Sequence, residues 1–373
     1  MKVLIAGGGT AGHINPGLAI ADGIKSIDKN AEIIFAGTKK GLEKDLVPKA
    51  GYELRIIKVR GFARKLTFHN VLAVKDLLQG LFQAIRLIKE FSPDIVIGTG
   101  GYVCGPVVLT AACLYKIPTL IHEQNAFPGK TIRWLSRFAD ITAISFRESE
   151  KYLKKAKKLV FTGNPVRSGF YGIDKSKARL AIGIGKYEKV VIIMGGSRGA
   201  GNLNEKVFDM MKKYYKDGEF LLYWSTGDRW YHENEARIAG LKLSNDPRQI
   251  NIAPYIYNTT EIYPVADIMV CRAGAITLAE LAVVGLPSIL VPSPFVAENH
   301  QEYNARAMEK AGGAVLILEK ELSAENLYFM IIRLLSDLPA RQKMAKAAET
   351  LSKKDAAEVL RELVLELVHK TLL

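Results

Sequence analysis

Cysteine is scarce in this chain: Cys104, Cys113 and Cys271 are widely separated and form no C-x-x-C pair. That spacing argues against a disulfide framework and a zinc site, and suits a reducing cytoplasm. Long apolar runs are missing too. The longest stretches, such as 106–115, fall well short of the roughly 20 residues that a membrane span requires. No secretory leader is expected, because the apolar run at 3–6 is short and passes straight into glycines. Low-complexity tracts are absent. So are an RNA-recognition aromatic motif and a helix-turn-helix pattern, and nucleic acid is not an expected partner.

What is present is an ordinary globular composition, 49% hydrophobic and 24% charged, over a length of 373 residues that favours two domains. Charge is the exception, since 52 Lys and Arg against 38 Asp and Glu give a net +14. Such a field draws polyanions, whether nucleic acid, anionic lipid or phosphorylated substrates. Lys58, Arg60, Arg64 and Lys65 flank Phe62, and 66–87 then carries Phe68, Val71, Leu72, Leu77, Leu78, Leu81 and Phe82. A basic cluster beside an amphipathic stretch fits an anionic membrane surface. A core-facing helix with solvated lysines fits equally.

Strand-like runs alternate with helical patterns and predict an α/β protein with parallel sheets. The expected strands are 3–6, 32–36, 54–59, 95–97, 119–121, 141–143 and 159–161, then 190–194, 220–224, 250–253, 268–270, 288–291 and 314–318. Each half opens on an apolar strand that breaks into glycines: Gly7-Gly8-Gly9-Thr10-Ala11-Gly12-His13, and Gly195-Gly196-Ser197-Arg198-Gly199-Ala200-Gly201. At such a turn backbone N–H groups approach an anion at a helix N-terminus. The first helix is expected to open near Asn15-Pro16, where proline suits a first turn. Gly163-Asn164-Pro165 reads as a turn or linker between the halves, and 353–373 as a terminal amphipathic helix.

Gly7-x-Gly9-x-x-Gly12 satisfies the dinucleotide fingerprint, but the second strand ends Phe35-Ala36-Gly37-Thr38-Lys39 with no carboxylate for a ribose. NAD or FAD is therefore not expected. His13 titrates near neutral pH; it is either a general base or a helix-capping, phosphate-contacting side chain. Gly98 to Pro106 and His122-Glu123-Gln124-Asn125 both follow strands, where the loops of an open α/β sheet face ligand. Glu123 alternatively caps a neighbouring element. In the second half, Arg272-Ala273-Gly274 ends a strand and a helix begins near Ala275, its N-terminus suited to a phosphate. Glu280 on that helix either reaches a vicinal diol or faces solvent. No Asp-x-Asp pair is present to carry a divalent ion, so arginine and helix N-termini are expected to neutralise a departing diphosphate, without metal or cofactor.

Seven motifs in order then resemble the peptidoglycan N-acetylglucosaminyltransferases of glycosyltransferase family 28. They run Gly8 to His13, Gly100 to Pro106, His122 to Asn125, Gly163 to Arg167, Gly195 to Ala200, Arg272 to Thr277 and His300 to Ala305. The resemblance implies a GT-B fold, two Rossmann-like domains facing across a cleft, with a C-terminal helix returning to the first. Residues 1–164 with about 353–373 would form an acceptor- and membrane-binding domain, and 165–352 a UDP-sugar-binding domain. It implies inverting, metal-independent transfer of N-acetylglucosamine from UDP-N-acetylglucosamine to the C4 hydroxyl of the muramoyl-pentapeptide of lipid I. The acceptor is linked to undecaprenyl diphosphate, the product is lipid II, and the place is the cytoplasmic face of the cell membrane. A UDP-N-acetylglucosamine epimerase or another lipid glycosyltransferase of the same fold is the alternative.

By the same resemblance Thr10, Ala11, Gly12, Asn125, Arg167, Ser197, Ile256, Gly274, Ala275, Ile276, Thr277, Leu278, Ala279, Glu280 and Gln301 hold the donor. Glu280 takes the ribose hydroxyls, Ile256 meets the uracil through its backbone and Gln301 meets the sugar. Gly8, Gly9, Gly100, Gly101 and Tyr102 meet the acceptor, and His13 is the base, with Arg167 and Glu280 in support. Two positions depart from the family's usual residues: Ala11 stands for Gly, and Arg198 for Gln. The Ala11 methyl matters only if that residue needs positive φ. Arg198 either assists the leaving group or sits in solvent.

Overall fold

Two parallel sheets carry the chain, each in a unit of its own. The computed structural model describes residues 1–373 apart from 62–67, 186–187, 197–199, 217–218, 242–249, 354 and 373. One unit is Met1–Val166 with Asp355–Leu373, and the other is Arg167–Lys354.

In the first unit the strands are β1 (Lys2–Gly7), β2 (Glu32–Gly37), β3 (Glu53–Ile56), β4 (Ile95–Gly100), β5 (Thr119–Glu123), β6 (Ile141–Ile144) and β7 (Leu159–Phe161). They lie parallel in the order β3-β2-β1-β4-β5-β6-β7. Helices cover both faces, which is why β1 and β4 read as unbroken apolar runs rather than alternating ones. Val3 and Ile5 pack on Ile14, Ile20 and Ile24 of the helix Ala11–Ile27. On the opposite face Leu4, Ala6 and Val96 meet Val107, Val108 and Ile88. The terminal helix Ala356–Leu372 belongs to this unit: Leu360, Leu363 and Val364 join the layer of Val3 and Ile5. Lys158 Nζ pairs with Glu366 at 3.1 Å to hold it there.

The second unit holds β8 (Val190–Met194), β9 (Leu221–Ser225), β10 (Ile250–Ala253), β11 (Ile268–Cys271), β12 (Ser288–Leu290) and β13 (Ala314–Leu316), in the parallel order β10-β9-β8-β11-β12-β13. Its core is built round Trp224, fully buried, whose indole N–H donates to Asn204 Oδ1 at 3.2 Å.

Both sheets use one topology: the third strand, the second, the first, then the fourth onward. The order reverses between β1 and β4 and again between β8 and β11. At such a switch point consecutive connections leave toward opposite faces and open a crevice at the strands' carboxyl ends. The glycine turns leave from β1 and β8, Gly100-Gly101 lies at the end of β4, and Arg272–Gly274 follows β11. The topology therefore places these turns where a ligand is met.

Three details differ from the sequence reading. The first helix begins at Ala11, with Thr10 extended before it, and Pro16 lies inside the helix. Proline removes one helical bond wherever it sits past the first turn, so its presence marks a helix start only loosely. The strand expected at 54–59 stops at Ile56, since the ladder on this edge ends with Ile57 N–H donating to Gly37 O at 2.8 Å. The last two strands stop at Leu290 and Leu316.

Candidate functional site

In the first unit, His13 lies in the opening turn of its helix rather than ahead of it. Its Nδ1 stands 2.9 Å from Gly8 O and 3.4 Å from Thr10 Oγ1. A carbonyl only accepts, so Nδ1 carries the proton and Nε2 is the basic nitrogen of the neutral ring. Gly100 and Gly101, at φ +115° and +84°, close on this turn at backbone distance. A Cβ on Gly100 would stand 2.6 Å from His13 Cδ2, and one on Gly101 would stand 2.5 Å from Gly8 O. Gly101→Ala, strained in φ and in space, is expected to destabilise the first unit by roughly 1–3 kcal/mol. Urea unfolding beside the parent measures that, and an unchanged midpoint would contradict the packing described.

The amides of Gly8 and Gly9 are not open to an acceptor anion. Gly8 N–H donates to Gly100 O at 3.3 Å, and Gly9 N–H donates to Glu43 Oε2 at 2.8 Å. The first-turn amides of Ala11 and Gly12 are of the kind that a helix cannot pair internally. Ala11 is helical, so its methyl carries no positive-φ strain. Tyr102 is exposed, its ring lying against Gly61.

His122, Glu123 and Gln124 are buried and bonded inward, contrary to the expectation that they face a ligand. His122 Nε2 donates to Gly163 O at 3.1 Å, and Gln124 Nε2 donates to its Nδ1 at 3.0 Å. Burial drives its pKa down to about 4, so the ring stays neutral. Glu123 takes the capping alternative: Oε2 accepts from Gly129 N–H at 2.9 Å, ahead of the helix Lys130–Leu135. Its Oε1 accepts from Asn125 Nδ2 at 3.1 Å and so orients the half-buried Asn125.

In the second unit, Gly274 caps the helix Ala275–Val284, and Glu280 lies in its second turn. Glu280 does not face solvent. Its side chain is 12% exposed, with Oε1 3.7 Å from Arg167 Nη2. Burial pushes its pKa up to about 7, against the opposing pull of Arg167. Arg167 Nη2 donates to Thr259 Oγ1 at 2.7 Å, and its guanidinium lies 5.2 Å over the Phe170 ring. Carboxyl and guanidinium are thus set side by side beyond the carboxyl end of β11.

Gln301 Oε1 accepts from Ser293 N–H at 2.9 Å, and Asn304 Nδ2 donates to Ala273 O at 3.2 Å. The first bond ties the helix His300–Lys310 to the segment after β12, and the second ties it to the turn after β11. Leu278 and Ala275 turn their side chains into the core, so backbone is what they can offer a donor, while Gly274, Ile276, Thr277 and Ala279 are partly exposed. Ile256 is buried between the exposed Tyr255 and Tyr257. Arg272 is committed inward, paired with Glu319 and donating to Val291 O at 3.0 Å. Ser197 and Arg198 lie outside the described residues.

Two residues escaped the sequence reading. Glu319 joins Arg272 to Asn202, on the helix that follows the second glycine turn. Glu43, wholly buried, stands by the end of β2 and holds Gly9. The glycines at 37 and 41 were the available signal, since each has Glu43 where a side chain would lie.

The model of the glycosyltransferase family 28 N-terminal domain matches residues 3–144, and that of its C-terminal domain matches 190–360. The chain belongs to glycosyltransferase family 28. Among family members, it is 51% identical over 369 residues to a UDP-N-acetylglucosamine–N-acetylmuramyl-(pentapeptide) pyrophosphoryl-undecaprenol N-acetylglucosamine transferase of Ruminiclostridium cellulolyticum, covering 99% of this chain and 100% of that one. The transferase of the same name from Acetivibrio thermocellus is 50% identical, with 99% and 98% covered. The crystal structure of Acinetobacter baumannii MurG superposes with a TM-score of 0.76 at 28% identity, covering 98% of this chain and 99% of that one. A UDP-GlcNAc 2-epimerase of Neisseria meningitidis shares the fold at a TM-score of 0.65 and 14% identity, over 98% and 100% of the two chains.

Proposed function

We propose that this glycosyltransferase moves N-acetylglucosamine from UDP-N-acetylglucosamine to the C4 hydroxyl of the muramoyl-pentapeptide of lipid I, giving lipid II. The full-length likeness to enzymes named for that transfer, at 51% identity, carries the reading. The second unit is the donor side. Glu280 accepts from both ribose hydroxyls, the N-terminus of the helix Ala275–Val284 meets phosphate, Gln301 meets the sugar and Ile256 meets the uracil. Ser197, Thr10, Gly12 and Asn125 complete the donor contacts.

The first unit is the acceptor side. His13 Nε2 takes the proton of the attacking hydroxyl as its oxygen bonds to the anomeric carbon. The bond from that carbon to the diphosphate breaks, UDP departs with the electron pair, and configuration inverts in one displacement. Arg167 and the helix N-terminus offset the charge that gathers on UDP. Transfer is expected to continue in EDTA.

Labelled N-acetylglucosamine offered as the UDP donor tests the reading. Label should pass to a lipid I analogue, and not to diacylglycerol or to water. Label on diacylglycerol, or conversion of the donor without any acceptor, would sink it.

Membrane attachment at the cytoplasmic face belongs to the same proposal. Among the described residues no helix is long and apolar enough to cross a membrane. The helix Phe68–Phe91 leaves Val74, Leu78 and Phe82 exposed at 48%, 54% and 72%, while Ala73, Ala84 and Ile88 face the core. Those three stand four residues apart and form one apolar stripe, with Lys75 exposed beside it. Leu114 and Tyr115, also exposed, lie on a segment packed against the same helix. Of the basic cluster, Lys58 pairs with the buried Asp76 at 3.6 Å and Arg60 pairs with the same carboxylate, while Arg64 and Lys65 lie outside the described residues. In liposome flotation the protein is expected to bind anionic vesicles over neutral ones, and Leu78→Asp with Phe82→Asp to abolish most of that binding. Equal, negligible binding to both vesicle types would contradict it.

A further inference from the structure

The Gly8–Gly9 peptide group touches His13 on one side and Glu43 on the other. Its carbonyl accepts from His13 Nδ1 at 2.9 Å, and its N–H donates to Glu43 Oε2 at 2.8 Å. Both contacts belong to one planar amide. Carboxylate, amide and imidazole therefore form a chain of hydrogen bonds that all donate toward Glu43. Its other oxygen accepts from Thr38 N–H at 2.8 Å and from Thr38 Oγ1 at 2.7 Å. Burial alone would push this carboxyl up, but the bonds from Gly9 and Thr38 outweigh it and hold the group below its ordinary range. It is a buried anion with both oxygens accepting hydrogen bonds.

Glycines make the room it occupies. A Cβ on Gly8 would stand 2.5 Å from Glu43 Oε1, one on Gly37 would stand 2.5 Å from its Cγ, and one on Gly41 would overlap Oε2. The carboxylate in turn fixes the peptide. Were the Gly8–Gly9 amide to flip, its carbonyl would point at a buried negative charge and its N–H at the imidazole.

We propose that Glu43 is a positioning residue for His13, acting through the Gly8–Gly9 amide to keep the proton on Nδ1 and to raise the basicity of Nε2. The carboxylate polarises the amide, which strengthens the carbonyl as an acceptor, and its charge favours the imidazolium formed when Nε2 takes a proton. Catalytic dyads usually set a carboxylate directly on the imidazole; here one peptide group stands between them. That amide also explains why Gly9 N–H is withheld from the acceptor. Nearby, Tyr102 follows Gly101, and Cys104 bonds to Gly100; burial pushes this thiol up to about 12, so it stays neutral while His13 titrates. The inference rests on His13 being the base, but its first readout does not.

That readout is the titration of His13 by NMR in the full chain carrying ¹⁵N-labelled histidine, with Glu43→Gln beside the parent. The parent should show neutral His13 with its proton on Nδ1. The variant should lower its proton affinity about three- to tenfold. Turnover is expected to fall about tenfold with both KM values within about twofold, and the acid limb of kcat to move to lower pH. A folded Glu43→Gln with an unmoved His13 titration overturns the inference, whatever its turnover. If Glu43→Gln does not fold, the parent decides alone: a neutral His13 with its proton on Nε2 overturns the inference, and one on Nδ1 supports it. His13→Ala with turnover intact would remove the base assignment instead, a separate result.

Discussion

His13→Ala is expected to lower kcat by about 10²–10⁴-fold, the usual worth of a positioned general base. The KM for UDP-N-acetylglucosamine should change little, because the role proposed for His13 is at the attacking hydroxyl and not at the nucleotide. The geometry favours this ring: Nδ1 is committed to Gly8 O at 2.9 Å, which leaves Nε2 as its proton-accepting atom. The variant should keep the parent's fold, since an alanine suits the first turn of the helix Ala11–Ile27. Turnover within about tenfold of the parent would move the base elsewhere.

The second large effect is at Glu280. Glu280→Gln should weaken UDP binding by about 10²-fold or more, because two hydrogen bonds to a charged acceptor are each worth about 1.5–3 kcal/mol. The parent should lose as much with 2′,3′-dideoxy-UDP, and the variant should hardly distinguish the two nucleotides. The carboxyl carries a second signature. Burial raises it to about 7, against Arg167 at 3.7 Å, so in the free protein it is protonated below that value. Tyr263 packs nearby, and burial holds its hydroxyl neutral. In the proposed contact the ribose hydroxyls donate and need the carboxylate, so UDP affinity should be flat above about pH 7 and fall as pH drops below it. Glu280→Gln should abolish that dependence. A raised carboxyl also costs folding stability as pH rises from its ordinary value of 4.5 through about 7. At pH 8 the variant should therefore melt no earlier than the parent, which separates lost binding from lost fold. Calorimetric titration that finds equal affinities for parent and variant would remove Glu280 from the donor site.

Much of this was legible before the structure. Buried parallel strands are short apolar runs, and their glycine breaks mark where the backbone turns tightly. Hence the runs from β1 to β13 could be read, along with both glycine turns. Strand order could not, since nothing local in Val3 or Val190 says that β4 or β11 pairs beside them. The helix start was misread because Pro16 looks like a first-turn residue wherever it falls. His122, Glu123 and Gln124 looked ligand-facing because a polar cluster after a strand gives the same pattern whether its partners are ligand or backbone. Glu280 was ambiguous for a related reason: the helix Ala275–Val284 is apolar nearly all round, and only its packing shows which side is closed. Glu43 was invisible as a partner of the first turn. It arrives from beyond the end of β2, where a nucleotide fold presents a carboxylate to a ribose rather than to its own glycine turn.

The product itself tests the central claim most directly. The parent enzyme, the α-linked UDP-N-acetylglucosamine donor and a lipid I analogue should yield, with EDTA present, one disaccharide whose anomeric proton coupling by NMR reports a β linkage to the muramoyl C4. An α linkage would contradict the single inverting displacement. Free sugar, an epimerised donor, or no disaccharide at all would contradict the transfer to lipid I.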